Sequence, residues 1–209
     1  KAGTQAQNDG GISLLVGISA VPPTWTEHYS SLYTGTYEVK LNYLAVSLGI
    51  DARYVEACVS YGIRTGATYS SEYGGSTSSG DITDEESFLG LAAYAKLPIK
   101  LLGATLFPMV GAEYLITTSL ADENGTSFLD NLSSLGESLY LGRLFIEAGL
   151  GVDAGIGGKL FLRGAFLYGF KIPSQYDDKY ISDQELLGYT DESLSISLLK
   201  ADLAIGFKL

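Results

Sequence analysis

The stretch Ser193–Leu209, SLSISLLKADLAIGFKL, decides the fold. From Leu199 onward its apolar residues fall on every second position: Leu199, Ala201, Leu203, Ile205, Phe207 and Leu209. Lys200, Asp202, Ala204, Gly206 and Lys208 occupy the alternate positions. A period of two is the signature of a strand with one apolar and one polar face. Upstream, the apolar residues are Leu194, Ile196 and Leu198, so the phase inverts and a bulge near 198–199 is expected.

The same pattern recurs through the chain. In 159–172 the even positions hold Leu160, Leu162, Phe166, Tyr168 and Phe170, and the odd ones hold Arg163, Ala165, Gly169 and Lys171, with Phe161 and Leu167 blurring the odd set. In 138–153 Leu144, Ile146, Leu150 and Val152 alternate with Arg143, Glu147, Gly149 and Gly151. Eight strand-like segments emerge, at about 11–20, 37–48, 53–65, 87–98, 104–118, 138–153, 159–172 and 193–209. The connections 21–36, 66–86, 119–137 and 173–192 are long and polar, whereas 49–52, 99–103 and 154–158 are tight turns. In an up-and-down barrel alternate connections emerge at opposite rims, so this rhythm predicts long loops on one side and short turns on the other. Greek-key crossings give no reason for it. Pro22-Pro23 are expected to end the first strand, and Asn124-Gly125 to mark a turn within the third loop.

Composition narrows the class. The 209 residues are 46% hydrophobic and only 18% charged, with 26 glycines, 15 tyrosines and a net charge of −11. That apolar content argues against disorder. The single Cys58 excludes a disulfide scaffold and a cysteine metal cluster. An acidic chain lacks the basic face that nucleic acid requires, so no nucleic-acid partner is expected. No apolar run is long enough for a transmembrane helix. The chain opens at Lys1 with no basic–apolar leader, so a signal peptide is expected to have been removed.

Alternation does not say which face points outward. A soluble, lipocalin-like ligand-binding barrel would turn the apolar face in, and a membrane barrel would turn it to lipid. The small Gly, Ala and Ser residues of the polar face suit a narrow eight-stranded lumen. Tyr61, Tyr114, Tyr140, Tyr168 and Phe170 lie toward the long-loop ends of their strands, where an interfacial aromatic girdle belongs. The expected fold is therefore all-β: an eight-stranded antiparallel up-and-down transmembrane β-barrel with four long extracellular loops and three short periplasmic turns. It forms a single domain over 1–209 with a tail at 1–10, and both termini lie at the periplasmic rim.

With these strands, turns and alternating terminal segment, the chain resembles the small outer-membrane barrels of OmpX, OmpW and OmpA-domain type. LFPMVGAEY (106–114) and KLFLRGAFLYGFKIP (159–173) resemble spirochaete outer-membrane barrels more particularly. The resemblance implies residence in the bacterial outer membrane. It names no single activity, since such barrels include adhesins, anchors, narrow channels and lipid-modifying enzymes. Members usually finish on an aromatic residue; this chain has Leu209 last and Phe207 two positions before it.

By parity, Glu56, Lys96, Glu113, Arg143, Glu147, Arg163, Lys200 and Asp202 face the lumen, as does the space-filling Cys58. Four acids and four bases in a confined space point to a salt-bridge network that plugs the barrel, because buried charge is tolerated only when paired. The sharper reading is a gate in which partner exchange opens a path for ions. In the loops, Asp81, Asp84, Glu85 and Glu86, with Asp122, Glu123, Asp177 and Asp178, offer oxygen ligands that Ca²⁺ or Mg²⁺ would favour. None of them forms an EF-hand pattern, and a solvated acidic surface is the plainer account. His28, beside Trp25, Glu27, Ser30 and Ser31, is the only histidine and lacks an identifiable orienting acid or oxyanion hole, so catalysis and a cofactor are not expected.

The long loops hold 16 acids against Lys179 alone, while the eight lumen charges cancel. The expected role is a structural or interaction barrel, anchored in the lipid bilayer and presenting an acidic crown to a basic protein or to divalent cations, with lateral self-association left open. The runner-up is a narrow channel or a conduit for ions or small apolar solutes.

Overall fold

A computed structural model describes residues 11–30, 34–121, 125–127, 142–173 and 190–209. Among the described residues, eleven strands form one antiparallel sheet: β1 (Ile12–Val21), β2 (Pro23–Ser30), β3 (Thr34–Ala52), β4 (Val55–Tyr73), β5 (Ser76–Asp81), β6 (Glu85–Lys96), β7 (Ile99–Leu101), β8 (Ala104–Ala121), β9 (Gly142–Gly157), β10 (Leu160–Lys171) and β11 (Thr190–Lys208). β1 and β2 make one stave interrupted at Pro22, β5 folds back on β4, and β7 folds back on β8. Eight staves remain, each hydrogen-bonded to its sequence neighbour. β11 closes the ring on β1 and, higher up, on β2.

The register fixes the barrel's geometry. Passing from partner to partner, Ser13 leads through Asp51, Glu56, Tyr94, Gly111, Glu147, Gly169 and Leu198 to Pro23. The circuit thus returns to its first stave ten residues further along. For eight staves with strand rise ~3.3 Å and spacing ~4.8 Å, that stagger implies a tilt near 40°.

Several sequence expectations need correction. The connection 21–36 is mostly strand: after Pro22 the chain resumes as β2, which pairs with both β11 and β3. Residues 66–81 are also strand, turning at Gly74 and Gly75, whose φ values of 57° and 82° place them in the left-handed region that glycine tolerates. The staves therefore rise well past the apolar band and form a crown. No bulge falls at 198–199, where the register against β10 is continuous. Ile196 and Leu198 share the inward face with Lys200, and both are buried. The apolar phase does not invert; it enters the lumen.

The outer face settles the orientation. Ile12, Leu14, Val16 and Ile18 on β1, Leu44, Val46, Leu48 and Ile50 on β3, and Val55, Val59, Tyr61 and Ile63 on β4 are exposed. So are Leu91, Val110, Tyr114, Leu144, Leu150, Phe166, Tyr168, Phe170, Leu203, Ile205 and Phe207 on the remaining staves. An apolar belt circles the whole ring. On β11 it runs from Leu199 to Phe207, about 26 Å along the strand and roughly 20 Å along the axis at this tilt. Apolar residues outside and ionised residues inside are the reverse of a soluble ligand-binding barrel, and the lipocalin-like alternative falls on this point. Tyr61, Tyr114, Tyr168 and Phe170 do lie outward; Tyr140 is outside the described residues.

Candidate functional site

Among the described residues, the side chains that face the lumen lie in layers. Nearest the short turns lies a tier of five charged residues around Arg163. Its Nη2 donates to Asp51 Oδ2 at 2.6 Å and to Asp153 Oδ2 at 2.7 Å, its Nε donates to Asp153 Oδ1 at 2.7 Å, and its Nη1 donates to Glu56 Oε2. Lys96 pairs with Asp51 and, at 3.4 Å, with Glu56. Both cations lie on the Phe107 ring, Arg163 at 4.7 Å and Lys96 at 4.9 Å from its centroid. The planar guanidinium meets three carboxylates from three strands, which a point-charge ammonium would not do.

Above it, Ala92, Tyr94, Phe107, Met109 and Leu167 pack together, partly against Cys58. A cavity of about 30 Å³, close to the room one water needs, remains among Ser19, Ser47, Glu56, Cys58, Arg163 and Asp202. The middle tier follows: Lys200 Nζ donates to Glu113 Oε2 at 2.9 Å and to the Tyr94 hydroxyl at 3.4 Å, and that hydroxyl donates to Glu147 Oε2 at 2.6 Å. Asp202 lies beside Lys200 and accepts a hydrogen bond from Ser19.

An apolar collar of Val21, Tyr43, Ala45, Phe88, Leu115, Phe145, Ile196 and Leu198 packs above that tier. Inward glycines seat its rings and those below. A Cβ on Gly62 would lie 2.3 Å from Phe88, one on Gly151 2.1 Å from Phe107, and one on Gly206 2.0 Å from Phe161. Over the collar, Glu86 accepts from Arg143 at 2.6 Å, from Thr117 at 3.2 Å and from Tyr43, with Arg64 3.8 Å away.

All eight lumen residues named from parity thus face inward, but they divide among three tiers. Glu56, Lys96 and Arg163 belong to the lower tier, Glu113, Glu147, Lys200 and Asp202 to the middle, and Arg143 to the upper. Parity did not name Asp51, Asp153 or Arg64 among the lumen residues. It also placed Glu86 among loop cation ligands; its ion pairs inside the barrel overturn that. With these four added, the tiers hold seven carboxylates against five cations, so they do not cancel. An acid beside a tight turn, one residue inside the strand end at Ala52 and on the charged face, was the available signal for Asp51.

Asp81, Asp84 and Glu85 stand at the crown, and among the described residues no three His, Cys, Asp or Glu side chains group as metal ligands. Asp122, Glu123, Asp177 and Asp178 lie outside the described residues. His28 is exposed, with Nδ1 3.2 Å from Thr36 Oγ1, while Glu27 points to the opposite face of β2 and is buried. The two do not converge. On the crown's β3–β4–β5 sheet, Glu38, Lys40, Thr68, Tyr69, Ser70, Ser79 and Asp81 line an open polar groove of about 310 Å³.

No family model matches the chain, and no curated protein matches it. Among solved structures it is similar to Neisserial surface protein A, at 10% identity and a TM-score of 0.49 over 95% of this chain and 97% of that one. It is also similar to the outer membrane protein OprG of Pseudomonas aeruginosa, at 9% identity and a TM-score of 0.49 over 99% of each chain. A third is the N-terminal β-barrel domain of Pseudomonas aeruginosa OprF, at 11% identity and a TM-score of 0.43 over 96% and 100%.

Proposed function

We infer that the chain is a bacterial outer-membrane barrel whose lumen is shut and whose work is done by its crown: it anchors in lipid and presents polar, acidic strands and loops to a partner outside the cell. The observation that carries this reading is the layered filling of the bore. Three ion-paired tiers are separated by apolar side chains, and the cavity that the described residues line between the lower and middle tiers is about 30 Å³. Removing one partner of a buried pair leaves an uncompensated charge, so opening such a path is costly. The circumferential apolar belt supports the bilayer as the surrounding medium, through the burial of apolar surface in lipid.

The crown suits a partner of opposite charge. The connections 119–137 and 173–192 carry ten acids against Lys179. Attraction to a basic protein surface or to divalent cations should weaken as salt rises. The alternative, a narrow channel, would require the collar and at least two tiers to part together.

Planar-bilayer conductance of the purified barrel tests the closed lumen: silence is the expected result, and steady unit conductance in the wild type would favour the channel. A pull-down comparing the intact barrel with one lacking residues 174–190 tests the crown. Capture of a basic partner that survives the deletion would move the binding surface to the β3–β4–β5 groove.

A further inference from the structure

The middle tier is a ring of four groups from four strands. Lys200 on β11 donates to Glu113 on β8 and to the Tyr94 hydroxyl on β6, and that hydroxyl donates to Glu147 on β9. The fourth side runs between the carboxyls of Glu147 and Glu113, which stand on the inward face of adjacent strands two register positions apart. The first three sides each carry a hydrogen from an ammonium or a phenol. The carboxyl–carboxyl side has no such donor. Glu147 is 0% exposed, and its Oε1 has no hydrogen-bond partner.

The wall is shaped for this approach. On β6, a Cβ at Gly90 would lie 3.0 Å from Glu113 Oε1. On β10, a Cβ at Gly169 would lie 2.7 Å from Glu147 Cγ. Two glutamates are thus laid against two glycines. The groups facing them from the other elements do not neutralise them. β11 adds Asp202, whose Oδ1 also lacks a partner. β4 presents Cys58, β1 presents Ser19 to Asp202, and β10 offers only Gly169 and Leu167. The tier has three carboxylates and one ammonium. Two carboxylates buried side by side on adjacent strands repel strongly, and the common resolution is a single proton shared between them.

We propose that the middle tier is a proton-binding site, in which one exchangeable proton lies between the Glu113 and Glu147 carboxyls and closes the ring through Lys200 and Tyr94. The site belongs to the barrel and not to the crown, so it stands apart from the partner-presenting role. With the proton bound, the tier's charge is −1 instead of −2. On release, two bare carboxylates on adjacent strands face each other.

Infrared spectroscopy of the barrel in lipid vesicles at neutral pH tests this. The expected result is the absorption of a neutral carboxyl group, shifted in D₂O, present in the wild type and in Asp153→Asn, and absent from Glu113→Gln and Glu147→Gln. Heat-modifiable gel migration confirms that each variant is folded. A wild type without that absorption overturns the proposal, as does an absorption that persists in both glutamine variants. Should the glutamine variants not fold, Tyr94→Phe decides: it keeps both carboxyls and removes one hydrogen bond to Glu147, so the absorption must change frequency. An unshifted band would overturn the assignment.

Discussion

Arg163 Nη2 donates to Asp51 Oδ2 at 2.6 Å, joining β10 to β3 across the lumen between side chains 112 residues apart. Both are buried, and the same guanidinium holds Asp153 and Glu56. Four strands are tied through one planar group. Replacing it with Ala strands three carboxylates beside Lys96 alone, and breaking a buried network of this kind costs about 3–5 kcal/mol. Arg163→Lys keeps the charge and loses the fork, so its loss should be smaller. Urea unfolding of the vesicle-reconstituted barrel measures both; a loss for Arg163→Ala of only about 0–1 kcal/mol would mark the pair as no better than a surface one.

Phe145 is fully buried in the collar, with Phe88, Leu115 and Leu198 around it. Phe145→Ala should cost about 3–5 kcal/mol through lost burial and the cavity left behind. It should also be the single change most apt to let ions pass, since the collar separates the middle tier from Arg143 and Glu86. Conductance of the variant equal to a silent wild type would show that the ion tiers close the bore unaided.

A glycine on the inner face of the wall and one on the outer face are not equivalent. A Cβ on Gly149 would lie 2.0 Å from the carbonyl oxygen of Phe166, a backbone atom fixed by its own pairing, whereas the nearest atom to a Cβ on Gly164 is Val152 Cγ1 at 3.9 Å. Gly149→Ala should therefore lose about 1–3 kcal/mol or more to strain, and Gly164→Ala should fold like the wild type. The fraction showing heat-modifiable migration after refolding separates them. Equal yields would contradict the packing described.

The apolar belt makes a depth-dependent forecast. Leu203 is exposed midway along the outer face of β11, and Ile12 is exposed at the short-turn end of β1. An arginine at position 203 should cost about 2–4 kcal/mol, and one at position 12 about 0–1 kcal/mol. Unfolding in vesicles tests the order; equal costs in lipid would mean that the belt is not centred where the strands place it.

Much of this architecture was legible in the chain, because parity and loop rhythm are one-dimensional signals. Leu203, Lys200 and Asp202 declare their faces by position alone. Parity carries no information about height, however. Ile196 and Leu198 looked like a change of phase because an apolar residue on the lumen face is indistinguishable, in one dimension, from a strand that has flipped. Glu86 looked like loop because β6 begins only one residue before it. β2 escaped notice for a different reason: above the belt a strand meets water on its outer side, and the alternation that betrays a stave fades there. Asp51 and Asp153 sit near tight turns, where acids ordinarily face solvent.

The continuous register around the ring has a consequence for how such a chain can change over generations. One residue inserted into β10 or β11 below the collar would turn Arg163, or Lys200 and Asp202, out into hydrocarbon and bring Leu162 or Leu203 into the bore. Length changes within the belt should prevent folding, while single-letter replacements there can be absorbed one neighbour at a time. Above the belt the penalty disappears. Lineages of this barrel should therefore diverge by substitution in the wall and by insertion and deletion at the rim facing the outside world.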